Sequence, residues 1–274
     1  MSNVVKPKSK FAAVVLLLLT AYFLLPIAFL FFAASKPPEE FGSTSPFWFG
    51  SYFTLFDNVQ KVLESNDGIY LIWLKNSVIY SLSGALGALI CSAMAGFAIA
   101  IYNFKGVKQT QLVLLALVMV PANTLVLPLF IYFANFNLIN TPWAVILPSL
   151  VNPLGTFLIA YYAKENLPLE LISAARLDRA SEIRIFLQLA LPILRPALAT
   201  VFLLNLVLNW NNYFLPLVML NEREMYPLTV GLGTSYGGPG LITGSVIAMA
   251  PMLVAYIFLQ RFWVKGLTAG SGVS

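Results

Sequence analysis

The sequence predicts an all-α integral membrane protein with six transmembrane helices, and three observations carry that prediction. Hydrophobic residues make up 59% of the 274 residues and charged residues 10%, with a mean hydropathy of +0.82, outside the range of a water-soluble domain. Six charge-poor stretches, about 11–34, 76–101, 112–134, 142–163, 197–220 and 241–260, each reach the roughly 20 apolar residues that a membrane-crossing helix needs. Basic residues are also divided unevenly between the two sides that these spans define.

The first span follows Lys10 and precedes the small residues Ala33 and Ser35, as in a cleavable leader. Its apolar run exceeds the ~7 to 15 residues of a leader's core, so it reads as a retained span. Residues 36–75 follow, with Phe47, Trp48, Phe49, Tyr52, Phe53 and Phe56 predicting an interfacial amphipathic helix or anchor. In the second span Gly84, Ala88, Ser92, Gly96 and Ala100 recur every four residues, a small-residue stripe that permits close helix contact. Cys91 lies beside that stripe; as the single cysteine it excludes an intrachain disulfide and is expected to be a small packing residue.

Pro121, Pro128, Pro142, Pro148 and Pro153 punctuate the third and fourth spans, near Asn123 and Asn152. They predict broken helices, which the membrane interior tolerates where they line protein or a watery cavity. The loop 164–196 then concentrates charge between two short amphipathic helices. The first is predicted from Pro168, suited to an initial helical position, to about Leu177. After a turn at residues 178–180, Ser181 caps the second and Glu182 complements its positive end. Ile183, Phe186, Leu187, Ala190 and Leu191 are predicted to share one face, and Pro192 and Pro196 to stop the helix.

In the fifth span Asn205, Asn209 and Asn212 stand at i, i+4 and i+7, predicting one polar helical face beside Trp210, Asn211 and Tyr213. Amides and an aromatic ring suit a neutral sugar, which makes Asn205, Asn209, Asn212 and Tyr213 candidate lining of a solute path. Hydrogen bonds between helices account for the same asparagines equally well. Residues 221–240, with Tyr236, Gly237, Gly238, Pro239 and Gly240, read as a glycine-rich loop before the sixth span. The expected organisation is an N-terminal segment 1–10, a membrane domain 11–263 and a C-terminal tail 264–274.

With six spans both termini share a side. That side collects 12 of the 16 basic residues, leaving Lys36, Lys61, Lys75 and Arg223 on the other beside seven of the 11 carboxylates. The positive-inside rule therefore predicts cytoplasmic termini and a cytoplasmic 164–196 loop. The net charge of +5 is a topology signal and calls for no nucleic-acid partner. The chain has no histidine, and no Asp, Glu, Lys or Arg falls within 76–104, 111–163 or 196–220. Proton- and sodium-driven carriers normally keep an ionisable group near mid-membrane. No metal site is expected. The phosphate-binding pattern G-x-x-x-x-G-K-[ST] is absent, so energy for any ATP-driven process must enter from another polypeptide.

The loop resembles the cytoplasmic loop of ABC-importer permeases, whose pattern is Glu-Ala-Ala, three residues, Gly, nine residues, Ile or Leu, one residue, Leu-Pro. Ser173, Ala174 and Ala175 occupy the first places, Arg179 the glycine place, and Leu189, Leu191 and Pro192 the end. Pro168, Glu170, residues 178–181, Phe186 and Pro196 are similar to the sugar-importer branch with the maltose-type second permease. So are Trp210-Asn211 and Gln260 with Val264-Lys265-Gly266-Leu267-Thr268. Serine and arginine stand where the family has glutamate and glycine. A glycine suits a turn with positive φ, where another residue costs about 1 to 2 kcal/mol.

The resemblance implies the type I importer permease fold in a prokaryotic inner membrane, and a non-enzymatic subunit with no cofactor of its own. ATP and Mg²⁺ would be bound by two ATPase subunits. A second, homologous permease would complete a heterodimer, and an extracytoplasmic binding protein would deliver a sugar, oligosaccharide, polyol or glycerophosphate. Glu170, Ser173, Ala174, Ala175, Arg176, Asp178, Arg179, Arg184 and Pro192 become candidate ATPase-coupling residues. Tyr236, Gly237, Gly238 and Pro239 would face the binding protein. A six-span secondary carrier or channel, a permease for another solute class and a membrane scaffold are the alternatives.

Overall fold

A computed structural model describes residues 10–269, with side-chain surroundings given through residue 258. No β-strand occurs among the described residues. The helices are α1 (Lys10–Ala34), α2 (Leu55–Ile101), α3 (Val107–Val118), α4 (Val126–Asn135), α5 (Pro142–Ser149) and α6 (Pro153–Asn166). They continue with α7 (Leu169–Leu177), α8 (Glu182–Ile185), α9 (Leu191–Trp210), α10 (Phe214–Met219), α11 (Leu228–Ser235) and α12 (Gly238–Ala269). Five helical stretches are long and apolar enough to cross a membrane, and a sixth is counted when α3 and α4 form one bent span. Of the expected terminal segments, residues 1–9 and 270–274 lie outside the described residues, as do the side chains of Gln260 through Thr268.

The chain divides into two compact units. The first extends through Tyr70 and resumes over Leu232–Ala250; the second takes Leu71–Gly231 and resumes at Pro251.

In the first unit, the segment 41–53, with most of the aromatic cluster, is not helical, so of the expected helix or anchor the helix is not formed there; Phe56 lies in α2. Pro37, Pro38, Gly42, Pro46 and Gly50 break helical continuity, leaving turns and one short 3₁₀ stretch at Pro38–Glu40. Its rings pack on the end of α1: Phe32 meets Phe49 at 4.8 Å between centroids and stacks on Trp48 at 6.3 Å. Lys36 is buried and donates to Thr44 Oγ1, while Asn58 Nδ2 donates to the carbonyls of Ala34 and Lys36 at 2.9 and 2.7 Å. The helix of the second span starts at Leu55, well before the predicted residue 76. It is interrupted where Asn66, Asp67 and Gly68 take φ of 50°, 58° and 73°, residue types that tolerate left-handed backbone.

Residues 221–240 are not one loop. A 3₁₀ turn at Arg223–Met225 and α11 fill most of the stretch, and Gly238, at φ 51°, opens α12. Tyr236 donates its hydroxyl to the Val62 carbonyl at 3.2 Å and its ring lies over Gly240, 2.9 Å from where a Cβ would be. A Cβ added at Gly237 or at Gly238 would meet nothing within 4 Å.

In the second unit the small-residue stripe of α2 is buried as predicted. A Cβ on Gly96 would lie 2.8 Å from Ile159 Cβ and 3.0 Å from the Ala160 backbone nitrogen; one on Gly84 would lie 2.9 Å from Ser149 Cβ. Ala88 and Ser92 are fully buried between them. Cys91, expected to pack, is exposed, because its one-residue offset turns it about 100° away from the stripe. Breaks form at some of the predicted prolines. The α3–α4 pair bends by 92° across residues 119–121, α5 opens at Pro142, and α6 restarts at Pro153 with Asn152 capping it through the Gly155 amide, whereas Pro128 and Pro148 lie within α4 and α5.

Candidate functional site

Between α6 and the fifth span the chain folds into two short helical limbs. Pro168 is extended at ψ 121° and α7 follows it through Leu177, with Ile172 buried. The end of α7 is a Schellman motif. The Ala180 amide donates to the Ala175 carbonyl and the Arg179 amide to the Arg176 carbonyl, each at 3.0 Å. This geometry requires left-handed backbone at residue 179, and Arg179 adopts φ 57°. The family's glycine at this place therefore has a physical reason, and the expectation of positive φ holds at Arg179, with Asp178 at φ −74°. Ala175 and Ala180, on either side of the turn, pack against the core formed by Phe97, Ile159, Ile172, Ile185 and Leu194.

Ser181 caps α8 by accepting from the Arg184 amide at 3.3 Å, and Glu182 is the first helical residue. Beyond α8 the predicted stop at Pro192 and Pro196 does not occur. The helix continues through both prolines to Trp210, and just before them Phe186–Ala190 is a π turn, in which the Leu191 amide reaches back to the Phe186 carbonyl. The wider turn accommodates Pro192, which would clash with the preceding turn of a regular α-helix. It also changes the buried face. Ile185, Ala190, Leu194 and Ala197 point inward, whereas Ile183 and Leu187 of the predicted face are 73% and 52% exposed.

The charged candidates separate into two groups. Arg179, Arg184, Glu170 and Asp178 are exposed on the loop, with Arg184 Nε donating to Gln188 Oε1 at 2.9 Å. Exposed Ser173, at the family's glutamate place, donates its hydroxyl back to the Leu169 carbonyl at 2.9 Å. Arg176, also exposed, reaches across the turn: Nε and Nη2 donate to the two oxygens of Glu182 at 2.7 and 3.1 Å. Tyr102, just past the end of α2, donates its hydroxyl to Glu182 Oε2 at 2.8 Å, and the guanidinium lies 5.8 Å from its ring centroid. The Arg176 guanidinium first, and the Tyr102 hydroxyl second, hold the Glu182 carboxyl below the usual carboxylate range. Sequence reading missed Tyr102 and this use of Glu182, since 80 residues separate the two.

The asparagines of the fifth span do not form the predicted single face. Asn205 is buried, accepting from Asn152 Nδ2 at 2.7 Å and donating to the Val201 carbonyl at 2.7 Å, a tie between the fourth and fifth spans. Asn209 is half-buried, its Nδ2 enclosed beside Gly84 with no hydrogen-bond partner among the described residues. Asn212 leaves the face because α9 ends at Trp210; its carbonyl accepts from Thr229 Oγ1 at 2.7 Å, and Tyr213 beside it is exposed. No cluster of metal-ligating side chains occurs among the described residues.

Known proteins are similar to this chain. The arabinooligosaccharides transport system permease protein AraQ of Halalkalibacterium halodurans is 40% identical over 208 residues, 74% of each chain. The lactose transport system permease protein LacG of Rhizobium radiobacter is 31% identical over 220 residues, covering 78% of this chain and 79% of its own. The crystal structure of a bacterial ABC transporter involved in the import of the acidic polysaccharide alginate has a chain of the same fold. Its TM-score is 0.78 at 19% identity, over 96% of this chain and 100% of that one. Residues 88–268, which include the two-limbed loop and the fifth span, match the family described as the binding-protein-dependent transport system inner membrane component. With its bent apolar spans and its paired-helix loop, the chain belongs to that family of inner-membrane transport permeases.

Proposed function

We propose that this chain is one of two permease subunits of an ATP-driven importer for a sugar or oligosaccharide, and that the 164–196 loop is its contact with a separate ATPase. The observation that carries the reading is the outer surface of the loop. Leu177 and Ile183 are 85% and 73% exposed beside exposed Arg179 and Arg184. An apolar knob with a basic rim suits a partner cleft with an acidic edge. Relatives named for arabinooligosaccharides, lactose and melibiose/raffinose/stachyose support a carbohydrate cargo, and one named for sn-glycerol-3-phosphate marks the edge of the solute range.

In this reading the loop and both termini lie in the cytoplasm, in agreement with the basic-residue asymmetry. Two ATPase subunits bind ATP and Mg²⁺, and their closure moves the coupling loops of this chain and of a homologous second permease. The permease itself catalyses no reaction. Glu170, Ser173, Ala174, Ala175, Arg176, Asp178, Arg179, Arg184 and Pro192 form or support the docking knob. An extracytoplasmic binding protein delivers the solute near Tyr236, Gly237, Gly238 and Pro239. Asn209, with Tyr213 and Asn212 beyond the helix end, offers the polar groups that a neutral solute would meet; Asn205 supports them through its bond to Asn152.

The chain co-expressed with its partner permease, ATPase and binding protein should purify as one complex whose ATP hydrolysis rises with a particular sugar. Arg179→Glu should lower the ATPase recovered with the complex. Equal recovery and wild-type uptake by that variant would remove Arg179 from the docking surface, and no sugar-stimulated hydrolysis across a broad screen would sink the carbohydrate reading.

A further inference from the structure

Tyr102, Arg176 and Glu182 converge from three segments: the residue after α2, the last turn of α7 and the first position of α8. Given the reading of the loop as the ATPase contact, on which this inference rests, we propose that the three form a positioning clamp. It joins both limbs of the loop to the end of the second span, so that displacement imposed on the loop is delivered to α2.

Connectivity alone does not couple these parts. Between α7 and α8 lies a three-residue turn, 178–180, with Arg179 in left-handed backbone and the Arg179 and Ala180 amides bonded back into α7. The fork of Arg176 spans that turn and engages both oxygens of Glu182, fixing distance and orientation together. Tyr102 then links the same carboxylate to α2. Its own amide donates to the Ala98 carbonyl at 3.0 Å, so its backbone continues the helical register and carries the hydroxyl rigidly. An apolar contact runs parallel: the Phe97 ring of α2 lies 5.2 Å from Phe186 in the π turn and 6.1 Å from Tyr102.

The clamp is solvent-exposed, with Arg176 and Glu182 side chains 40% and 45% accessible. Exposed ion pairs contribute little to folding stability, so its value lies in geometry. Arg176 is a positioning residue in this contact, and Arg179 and Arg184 are further exposed cations of the loop. The sequence placed Arg176 among the ATPase-coupling residues, and the clamp gives it a part in that coupling.

The test uses the complete transporter in proteoliposomes with its binding protein, and compares Tyr102→Phe, Glu182→Gln, Arg176→Ala and the charge exchange Arg176→Glu/Glu182→Arg. Tyr102→Phe and Glu182→Gln should keep the ATPase in the purified complex, while uptake per ATP hydrolysed falls roughly threefold to tenfold. The charge exchange should recover most of that ratio. An assembled Tyr102→Phe complex with wild-type uptake per ATP would overturn the clamp. Loss of the ATPase from Arg176→Ala, not rescued by the exchange, would overturn it too and make Arg176 a direct ATPase contact. A wild-type chain that retains no ATPase would instead sink the proposed function, and this control is read before any variant.

Discussion

Arg179 shows how one residue can be structurally costly and still fit its place. The Schellman turn needs left-handed backbone at that position, and a side chain with a Cβ raises its energy by roughly 1–2 kcal/mol. Arg179→Gly should therefore raise the stability of the purified permease, by about 1 kcal/mol after the greater chain entropy of glycine in the unfolded state is counted. Thermal unfolding in detergent would measure it, and an unchanged or lowered midpoint would show that the turn is not strained. The need for positive φ was legible only through the family resemblance, whose pattern has glycine where Arg179 stands. Where Arg176 points was not legible. Its partner Glu182 lies across a turn and Tyr102 in a distant segment, and a one-dimensional pattern holds no such proximity.

At the scale of elements, the buried positions of the long fifth-span helix explain the misread face. From Ala190 onward Leu194, Ala197 and Val201 follow at ordinary helical intervals, but Ile185 stands five residues before Ala190. The π turn absorbs the extra residue, so a 3.6-residue period extrapolated backwards selects Ile183, which is exposed. The stripe of α2 was legible because it needs only one uninterrupted period. Gly96→Ala forces a methyl against Ile159 and the backbone of α6, and should cost about 1–3 kcal/mol by overpacking. A detergent melt would record the loss, and a wild-type midpoint would mean that the two helices can separate freely. Asn212 was misplaced for a different reason: nothing in the sequence before it forces α9 to end at Trp210.

For the whole molecule, the class and the presence of the apolar runs were legible because bilayer thickness demands about 20 apolar residues per span, whereas where the helices start, end and break depends on local packing. The spans are also notable for what they omit: no Asp, Glu, Lys or Arg falls within 76–104, 111–163 or 196–220. A charge crossing the membrane field exchanges about 2.3 kcal/mol per 100 mV with it. Helices without charges exchange almost nothing when they tilt or bend. The movements of this chain's spans should therefore be electrically silent. Clamping proteoliposomes at different potassium diffusion potentials, with ATP fixed, should leave uptake of a neutral sugar unchanged, and a steep voltage dependence would contradict this. Any transport current that is recorded would then report the valence of the cargo, so that electrophysiology could distinguish a neutral oligosaccharide from a phosphorylated polyol before either has been identified chemically.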